Sequence, residues 1–322
     1  MNNATSLATV IVPCYNSPDL SATLRSVLIQ DYPRIELILI DDGSTNFHAE
    51  EAEAFLEENR RGNLERFQVI ANPRNLGTVR TLNIGLQHST GAYIFTLAGD
   101  DCFYDDRVLS DWVAEFIRTG AAVMTGYREI CDETLSTPLE RAPTEAQVRK
   151  IKTYTPQALF EDLCVTNYIF GCCTARTAEA VKKHGLFDEA YQLIEDHPMN
   201  LKLLRSGEPI VFFDRSVVNY RSGGASAPVS YNPRYAADVD RIMEREVLPY
   251  TAHPIRRRIS FFLWKRDQKL LRRRARLLQK HSHSKPRQLL VQMWYYLHHP
   301  LRTLLRLPQK LIRLCKGGNN CR

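Results

Sequence analysis

The chain has 322 residues, of which 44% are hydrophobic and 25% are charged, with 15 Gly and 16 Pro. These proportions exclude collagen-like, disordered and disulfide-scaffold classes and predict a globular protein with a large core. No stretch reaches the roughly 18 uncharged apolar residues of a membrane-spanning helix. The opening residues, MNNATSLATV, lack the basic region and apolar run of a signal peptide, so we expect a cytoplasmic protein.

The net charge of +7 is unevenly distributed along the chain. Residues 255–322 contain 19 Lys and Arg with one acid, a balance of +18, whereas residues 1–254 have a balance of −11. We therefore predict an acidic body, residues 1–250, and a basic helical tail, residues 251–322. The eight cysteines show no Cys-x-x-Cys spacing and are expected to be reduced thiols.

Short β-branched runs alternate with helical periodicity through the first 130 residues. The predicted strands are 8–12, 35–40, 67–70, 92–97 and 121–124, and the predicted helices are 19–30, 49–60, 78–88 and 107–118. This alternation predicts an α/β fold with a doubly wound, mostly parallel, Rossmann-like sheet, whose functional residues lie at the carboxyl ends of strands.

The second half of the body is less regular. Residues 131–165 are polar and contain three prolines, so we interpret them as an insertion or lid. Order returns afterwards. Helices are predicted at 174–183 and 198–206, and strands at 210–213 and 217–220.

Three carboxylate clusters stand at the junctions between predicted elements. Adjacent carboxylates repel each other unless they are solvated or bound to a cation or donor, and hard oxygen ligands suit Mn²⁺ or Mg²⁺. Each cluster alone could equally be a turn or a helix cap. No Gly-x-Gly-x-x-Gly or Walker motif is present, which argues against a Rossmann dehydrogenase or a P-loop enzyme. The clusters are Asp41-Asp42, Asp100-Asp101 and Glu195-Asp196-His197.

Several motifs, taken in order, carry a resemblance to a known family. They are VIVPCYN, IELILIDDGS, NPRNLGTVRTLNIGLQHSTGAYIFTLAGDD, GLFDEAYQLIEDHPMNLKLLRSG and NYRSGGAS. Residues 7–226 resemble an inverting GT-A glycosyltransferase of family 2. The resemblance implies a nucleotide-sugar-binding half, residues 1–130, and an acceptor-binding half, residues 131–250. It also implies transfer of one sugar from a UDP-linked donor to a glycan or polyprenyl-diphosphate-linked glycan, in cell-surface polysaccharide biosynthesis.

The resemblance assigns the donor site position by position. Asp42 would accept a hydrogen bond from the imide edge of the base, and the Gly77 backbone would approach the ligand. Arg80 would meet the diphosphate. Strand ending and core packing remain the alternative for Pro13 and Tyr15, and a solvated helix position remains the alternative for Arg80. The donor residues are Pro13, Tyr15, Asn16, Asp42, Gly77, Arg80, Asn83 and Asp100, with Asn75 in the same motif.

The resemblance also assigns the metal and the base. LAGDD stands for the family's Asp-x-Asp motif, with Ala98 in place of the first acid. Asp101 would be the ligand of Mn²⁺ or Mg²⁺, and Asp100 would contact the ribose or the metal. Asp196 would be the general base that takes the acceptor proton, unless it is only a helix cap.

Three further residues have less defined roles in the resemblance. Glu195 or His197 would orient the base or bind the acceptor. Arg221 would contact a phosphate or hold the fold. Many family members carry a His where Gly223 stands here, so another group would take that role.

The basic tail places leucines and aromatic residues at helical spacing among arginines. Such helices lie on anionic bilayers, so we predict a peripheral protein on the inner face of the cell membrane. The alternative is that the first tail helix packs on the body. Nucleic acid is not expected as a partner, because Trp294 lies in a Leu-rich stripe. Two other functions stay open: a nucleotidyltransferase, which would normally show a glycine-rich loop after the first strand, and a non-catalytic adaptor acting through the tail.

Overall fold

The computed structural model describes residues 6–222 and 232–280. The strands in these ranges are β1 (Ala8–Cys14), β2 (Ile35–Asp41), β3 (Leu64–Ala71), β4 (Tyr93–Thr96), β5 (Cys102–Phe103), β6 (Val123–Cys131), β7 (Pro138–Ala142), β8 (Thr174–Thr177) and β9 (Ile210–Arg221). The α-helices there are α1 (Leu20–Leu28), α2 (Ala49–Glu58), α3 (Thr78–His88), α4 (Val108–Thr119), α5 (Glu145–Thr153), α6 (Pro156–Leu163), α7 (Ala178–His184), α8 (Asp196–Arg205), α9 (Pro233–Ile242) and α10 (Pro254–Lys280). A 3₁₀ turn, Gly171–Cys173, precedes β8, and a π-helical turn, Met243–Val247, follows α9.

The described strands form one sheet with the order β3-β2-β1-β4-β8-β6-β9-β5, and β7 pairs with the outer part of β6. Strands β3, β2, β1 and β4 are parallel, as their alternation with helices predicts. From β4 onward the sheet is mixed, because β8 runs antiparallel to both β4 and β6 while β6 and β9 are parallel. The predicted α/β architecture is confirmed, with its parallel part concentrated in the amino-terminal half.

Two apolar layers cover the two faces of the sheet. Along β1, Val10 and Val12 face one layer and Ile11 faces the other, as expected for a strand buried on both sides. Trp112 of α4 is 2% exposed, and its ring centroid lies 5.3 Å from that of Phe95 in β4. Helices on both faces therefore leave only the strand ends and their loops to build a site.

The expectation that residues 131–165 are irregular is wrong. Strand β6 continues to Cys131, β7 pairs with it, and α5 and α6 follow. Thr144 and Gln147 form a capping box at the start of α5, and Thr155 caps α6. These local signals define ordinary secondary structure in a polar stretch.

Two other boundaries differ from the predictions. The helix predicted from residue 174 begins only at Ala178, because residues 174–177 pair as β8 between β4 and β6. The two strands predicted between 210 and 220 are one strand, β9, whose register against β6 shifts near Tyr127. Pairing within the sheet determines both outcomes.

Helix α10 begins the predicted tail, and its first turn is fixed to the body. The guanidinium of Arg257 donates to the backbone oxygen of Glu161 at 2.7 Å. The Glu161 carboxylate accepts from the Thr251 hydroxyl and the Ala252 amide, both at 2.7 Å. Within the described ranges, no helix combines the length and apolarity needed to cross a bilayer. The domain division at residue 250 stays a prediction, and residues 281–322, with Trp294, lie outside the described residues.

Candidate active site

The loop after β1 is joined to the loop after β2 through Asn16. This residue has a left-handed backbone, with φ 48°. Its amide donates to the Ser44 hydroxyl at 2.7 Å, and its side-chain oxygen accepts from the Thr45 amide at 3.1 Å. The neighbouring Tyr15 is 51% exposed. Asn16 therefore holds the loop, and Tyr15 is the residue here whose ring is open to a ligand.

Strands β1 and β2 end side by side. Pro13 lies opposite Ile40 in register, and Cys14 lies opposite Asp41. The Asp41 carboxylate accepts from the Gly43 amide at 3.0 Å and so closes the turn that follows β2. Burial and the adjacent Asp41 raise the pKa of the Cys14 thiol. The Asp41 carboxylate is thus occupied by hydrogen bonds within the protein.

Asp42 holds a third loop, which leads into α3. Its carboxylate is 5% exposed and accepts from the amides of Leu76 at 2.8 Å and Gly77 at 2.9 Å, and from Asn72 Nδ2 at 3.1 Å. Gly77 has φ +90°, and a Cβ there would lie 2.7 Å from the backbone oxygen of Gln192. Glycine is therefore required at position 77 because another segment of protein backbone lies close to it. A contact of Asp42 with the nucleobase stays a prediction.

Arg80 and Asn83 of α3 face the loop that precedes α8. Asn83 is 2% exposed and exchanges two hydrogen bonds of 2.9 Å with the backbone of Phe187. Arg80 is half-exposed, and its Nε lies 3.3 Å from Glu189 Oε2. Both ends of the Asn83 amide are occupied, so a donor contact would require it to leave these partners. Arg80 could bind a diphosphate if it gave up its exposed ion pair with Glu189.

Asp100 and Asp101 lie in the loop between β4 and β5, beside Arg221 of β9. The Asp101 side chain is 1% exposed, and its Oδ1 accepts from the Arg221 amide at 2.8 Å. Its Oδ2 is buried and has no hydrogen-bond partner among the described residues. Arg221 Nε donates to the Asp100 backbone oxygen at 2.8 Å. The structure therefore gives Arg221 a holding role between these acids, and Gly223 lies outside the described residues.

The ionised forms of these two acids are electrostatically unfavourable in this buried position. Burial, with Cys172 and Asp100 nearby, raises the pKa of Asp101 well above its usual value. Burial also raises the pKa of Asp100, and the positive charge of Arg221 opposes this. A buried carboxylate oxygen without a donor is costly, and a bound divalent cation would relieve that cost.

The second acid pair stands at the start of α8. Asp196 Oδ2 accepts from Asn167 Nδ2 and from the Gly171 amide, both at 3.1 Å, and its Oδ1 accepts from the His197 amide at 2.6 Å. Burial and the neighbouring Asp196 raise the pKa of Glu195 to about 8. Glu195 is therefore mainly protonated at neutral pH. Asp196 is more than a helix cap, because two of its three donors come from another segment.

His197 and Arg176 lie beside this acid pair and interact with it. The His197 Nε2 lies 2.9 Å from the backbone oxygen of Leu163, and since a carbonyl only accepts, Nε2 carries the proton. Burial lowers the pKa of His197 and keeps the ring neutral. Arg176 of β8 is 9% exposed, and burial lowers its pKa to about 10 while Glu195 and Asp196 oppose this. A buried cation thus lies near both acids.

The 3₁₀ turn Gly171–Cys173 connects the two acid pairs. Gly171 donates its amide to Asp196, and the neighbouring Cys172 contributes to the raised pKa of Asp101. The Gly171 backbone oxygen also accepts from the Thr96 hydroxyl of β4 at 3.1 Å. A Cβ at Gly171 would meet the Glu195 carboxyl, which would have to shift to make room. The predicted metal ligand and the predicted base therefore lie near one short segment.

Arg128 of β6 is a further site residue that the sequence did not indicate. Its guanidinium lies 3.6 Å from the ring centroid of Phe170 and 4.4 Å from that of Tyr220, and its charge favours the ionised form of Asp101. The sequence did not indicate Asn167 and Gly171 either, because they lie outside every recognised motif. Their contacts depend on the folded arrangement of distant segments.

Comparison with known proteins identifies the class. The family model described as glycosyl transferase family 2 matches residues 9–185, more than half of the chain. The chain belongs to this family, which confirms the predicted glycosyltransferase class. A Bacillus subtilis protein provisionally named a teichuronic acid biosynthesis glycosyltransferase, TuaG, is 29% identical over 175 residues, covering 54% of this chain and 63% of that protein. An uncharacterized Haemophilus influenzae glycosyltransferase is 24% identical over 255 residues, covering 76% of this chain and 74% of that protein. The chain thus spans less than two thirds of TuaG.

Solved structures share the fold. TarS 1-349 of S. aureus in complex with UDP-GlcNAc has a TM-score of 0.54 at 21% identity, over 78% of this chain and 69% of that one. GalNAc-T7 with UDP, GalNAc and Mn²⁺ has a TM-score of 0.54 at 18% identity, over 74% of this chain and 48% of that one. These likenesses confirm the predicted GT-A-type fold.

Proposed function

We propose that this glycosyltransferase transfers a single sugar, with inversion, from a UDP-linked donor to a glycan or polyprenyl-diphosphate-linked glycan in cell-surface polysaccharide assembly. The observation that carries the proposal is the Gly171–Cys173 turn, whose Gly171 amide donates to Asp196 and whose Cys172 lies close enough to Asp101 to raise its pKa. Inverting transfer needs a base and a leaving-group site on opposite faces of one sugar. The UDP-GlcNAc bound to TarS and the name of TuaG support the donor and pathway classes.

Asp100 and Asp101, in the loop between β4 and β5, fit a divalent cation. Asp101 Oδ2 is buried without a donor in the described part of the chain, and Asp100 lies beside it. No group of three His, Cys, Asp or Glu side chains in residues 6–222 and 232–280 is arranged to hold a metal ion, so donor phosphates and water would complete the coordination. Mn²⁺ or Mg²⁺ held there would stabilise the charge that develops on the departing diphosphate.

The protein's own groups carry out the remaining steps. Tyr15 would border the nucleobase, and Arg80 would meet the diphosphate. Asp196 would take the proton of the acceptor hydroxyl while its oxygen attacks the anomeric carbon. The bond from that carbon to the diphosphate breaks, and its electron pair leaves with UDP. Glu195, protonated at neutral pH, adds no second negative charge beside the base.

Calorimetric titration of UDP with and without Mn²⁺ tests the donor site. We expect binding to the wild type to require Mn²⁺ and to fall at least about 10-fold in Asp101→Asn, because the metal loses a charged ligand. The control is Asp106→Asn, which changes an exposed acid five residues further along. UDP binding that is equal in Asp101→Asn and the wild type would refute the metal site, and no UDP binding at all would refute the donor class.

The base is tested by the release of UDP from UDP-GlcNAc. Asp196→Asn keeps the size of the side chain and removes its basicity, so we expect turnover to fall about 10²- to 10⁴-fold. UDP affinity should stay unchanged, because the proposed role of Asp196 is to take the acceptor's proton and not to hold UDP. A variant that retains turnover would exclude Asp196 as the base.

We also propose that α10 attaches the enzyme to an anionic membrane surface on the inner face of the cell membrane. Arg257 fixes one side of the helix to the body, and the opposite side presents apolar groups to solvent. Basic residues flank that stripe, which is the pattern of an interfacial helix. The exposed apolar residues are Ile255, Ile259, Phe262 and Leu263, which are 45–75% exposed.

A further inference from the structure

The loop that leads to the acid pair is held by a single carboxylate of α9. Asp238 is 1% exposed. Its Oδ2 accepts from the amides of Gln192 at 2.9 Å, Leu193 at 2.7 Å and Ile194 at 3.2 Å, and its Oδ1 lies 3.1 Å from the Gln192 amide. Three consecutive backbone donors thus converge on one side chain. The next residues along the chain are Glu195 and the proposed base, Asp196.

The same loop is held at other points by the segment that follows Asp238. Arg241 donates to the backbone oxygen of Ala190, and Glu246 accepts from the Tyr191 hydroxyl at 3.1 Å. Arg245 lies 3.3 Å from Asp188. Contacts from α9 and the π-helical turn therefore reach the loop from residue 188 to residue 194. Of these, only the Asp238 carboxylate binds the residues adjacent to the acid pair.

The opposite side of the loop faces the donor half. The Gln192 backbone oxygen accepts from the Val79 amide at 3.2 Å and packs against Gly77. Burial and then the charge of Asp196 raise the pKa of Tyr235, three residues before Asp238. The base-bearing loop thus lies between α3 and α9, and α9 stands outside the residues matched by the family model.

We infer that Asp238 is a positioning residue for the proposed base, acting through the amides of residues 192–194 to fix the start of α8. The inference rests on the proposed function. Three amides that point at one buried position need an acceptor there, and a carboxylate satisfies all three at once. Without it the amides must turn toward water, and the Asp196 carboxyl moves with them. A displacement of about 1 Å at a reacting group costs about 10²-fold in rate.

The test compares Asp238→Ala and Asp238→Asn with Asp240→Asn. Asp240 lies on the same helix, and its side chain is 42% exposed. Hydrogen exchange of the amides of residues 192–194 reports the anchoring, UDP calorimetry reports the donor site, and UDP release from UDP-GlcNAc reports catalysis.

In Asp238→Ala we expect at least about 10-fold faster exchange at these amides and about 10²-fold lower kcat. KM for UDP-GlcNAc and UDP affinity should change less than about 2-fold, and Asp240→Asn should match the wild type.

The Asn variant keeps the test informative if Asp238→Ala fails to fold. Its side-chain oxygen can still accept from Leu193 and Ile194, while its NH₂ group faces the Gln192 amide, so we expect intermediate exchange and kcat. Unchanged exchange at residues 192–194 in both variants would overturn the anchoring, and unchanged kcat despite faster exchange would overturn the positioning role. If the wild type itself bound no UDP, the proposed function would fail, and the exchange data would decide the anchoring alone.

Discussion

Replacing Glu195 by glutamine tests whether this acid carries a proton in the folded protein. Burial beside Asp196 raises the pKa of Glu195 from its ordinary 4.5 to about 8. As pH rises between these values, the unfolded chain releases the proton and the folded chain keeps it. Wild-type stability therefore falls across this window and is unaffected by this group below it. Glutamine cannot ionise, so the variant lacks this loss.

The size of the effect follows from the shift. One pKa unit corresponds to about 1.4 kcal/mol, so between about pH 5 and about pH 8.5 Glu195→Gln should gain ~4 kcal/mol relative to the wild type. Urea unfolding at the two pH values measures the difference in the free energy of unfolding. Glu53→Gln, which changes an exposed glutamate of α2, is the control and should show no such trend. A difference that is constant with pH, or that shrinks as pH rises, would refute the assignment of a protonated Glu195.

Three further predictions follow from individual contacts. Gly77→Ala combines a positive φ with a Cβ 2.7 Å from the Gln192 oxygen, so it should lose ~3 kcal/mol in urea unfolding. Gly207→Ala, with φ +80° and open space around the Cβ, should lose only ~1 kcal/mol, and equal losses would contradict the close contact. Asn167→Ala removes one donor to Asp196 and should lower turnover about 10-fold with UDP affinity intact, whereas weaker UDP binding would place Asn167 elsewhere. Replacing Ile259 and Phe262 by Asp should reduce co-sedimentation with phosphatidylserine vesicles at least about 10-fold, and unchanged binding would exclude this stripe as the membrane contact.

The sequence predicted elements well where burial leaves an apolar pattern. Helix α3 was expected at residues 78–88 and occupies them, since six of its residues are buried along one face. Strand β7 was missed because it is an exposed edge strand, PLERA, with no alternation to detect. Helix α5 buries only Val148 and Ile151, so its periodicity was equally weak.

The candidate site divides in a similar way. Acids that are neighbours in sequence, such as Asp100 and Asp101, could be found as motifs. Gly171 and Arg128 could not, because their relation to those acids arises when β6, the 3₁₀ turn and β9 meet. Asp42 illustrates the remaining difficulty: a motif shows that a residue matters without showing whether it binds a ligand or holds a loop.

The peptide group that joins Gln192 to Leu193 bears on how much the enzyme must reorganise during catalysis. Its N–H, that of Leu193, donates to Asp238 of α9, and its C=O, that of Gln192, accepts from the Val79 amide in the first turn of α3. One rigid amide plane therefore joins the half that would receive the nucleotide to the half that carries the base. Such a link would limit independent movement of the two halves, so the proposed active site would be preorganised before any substrate arrives. Little reorganisation is then needed in the transition state, which is where fixed protein dipoles and charges contribute most to rate.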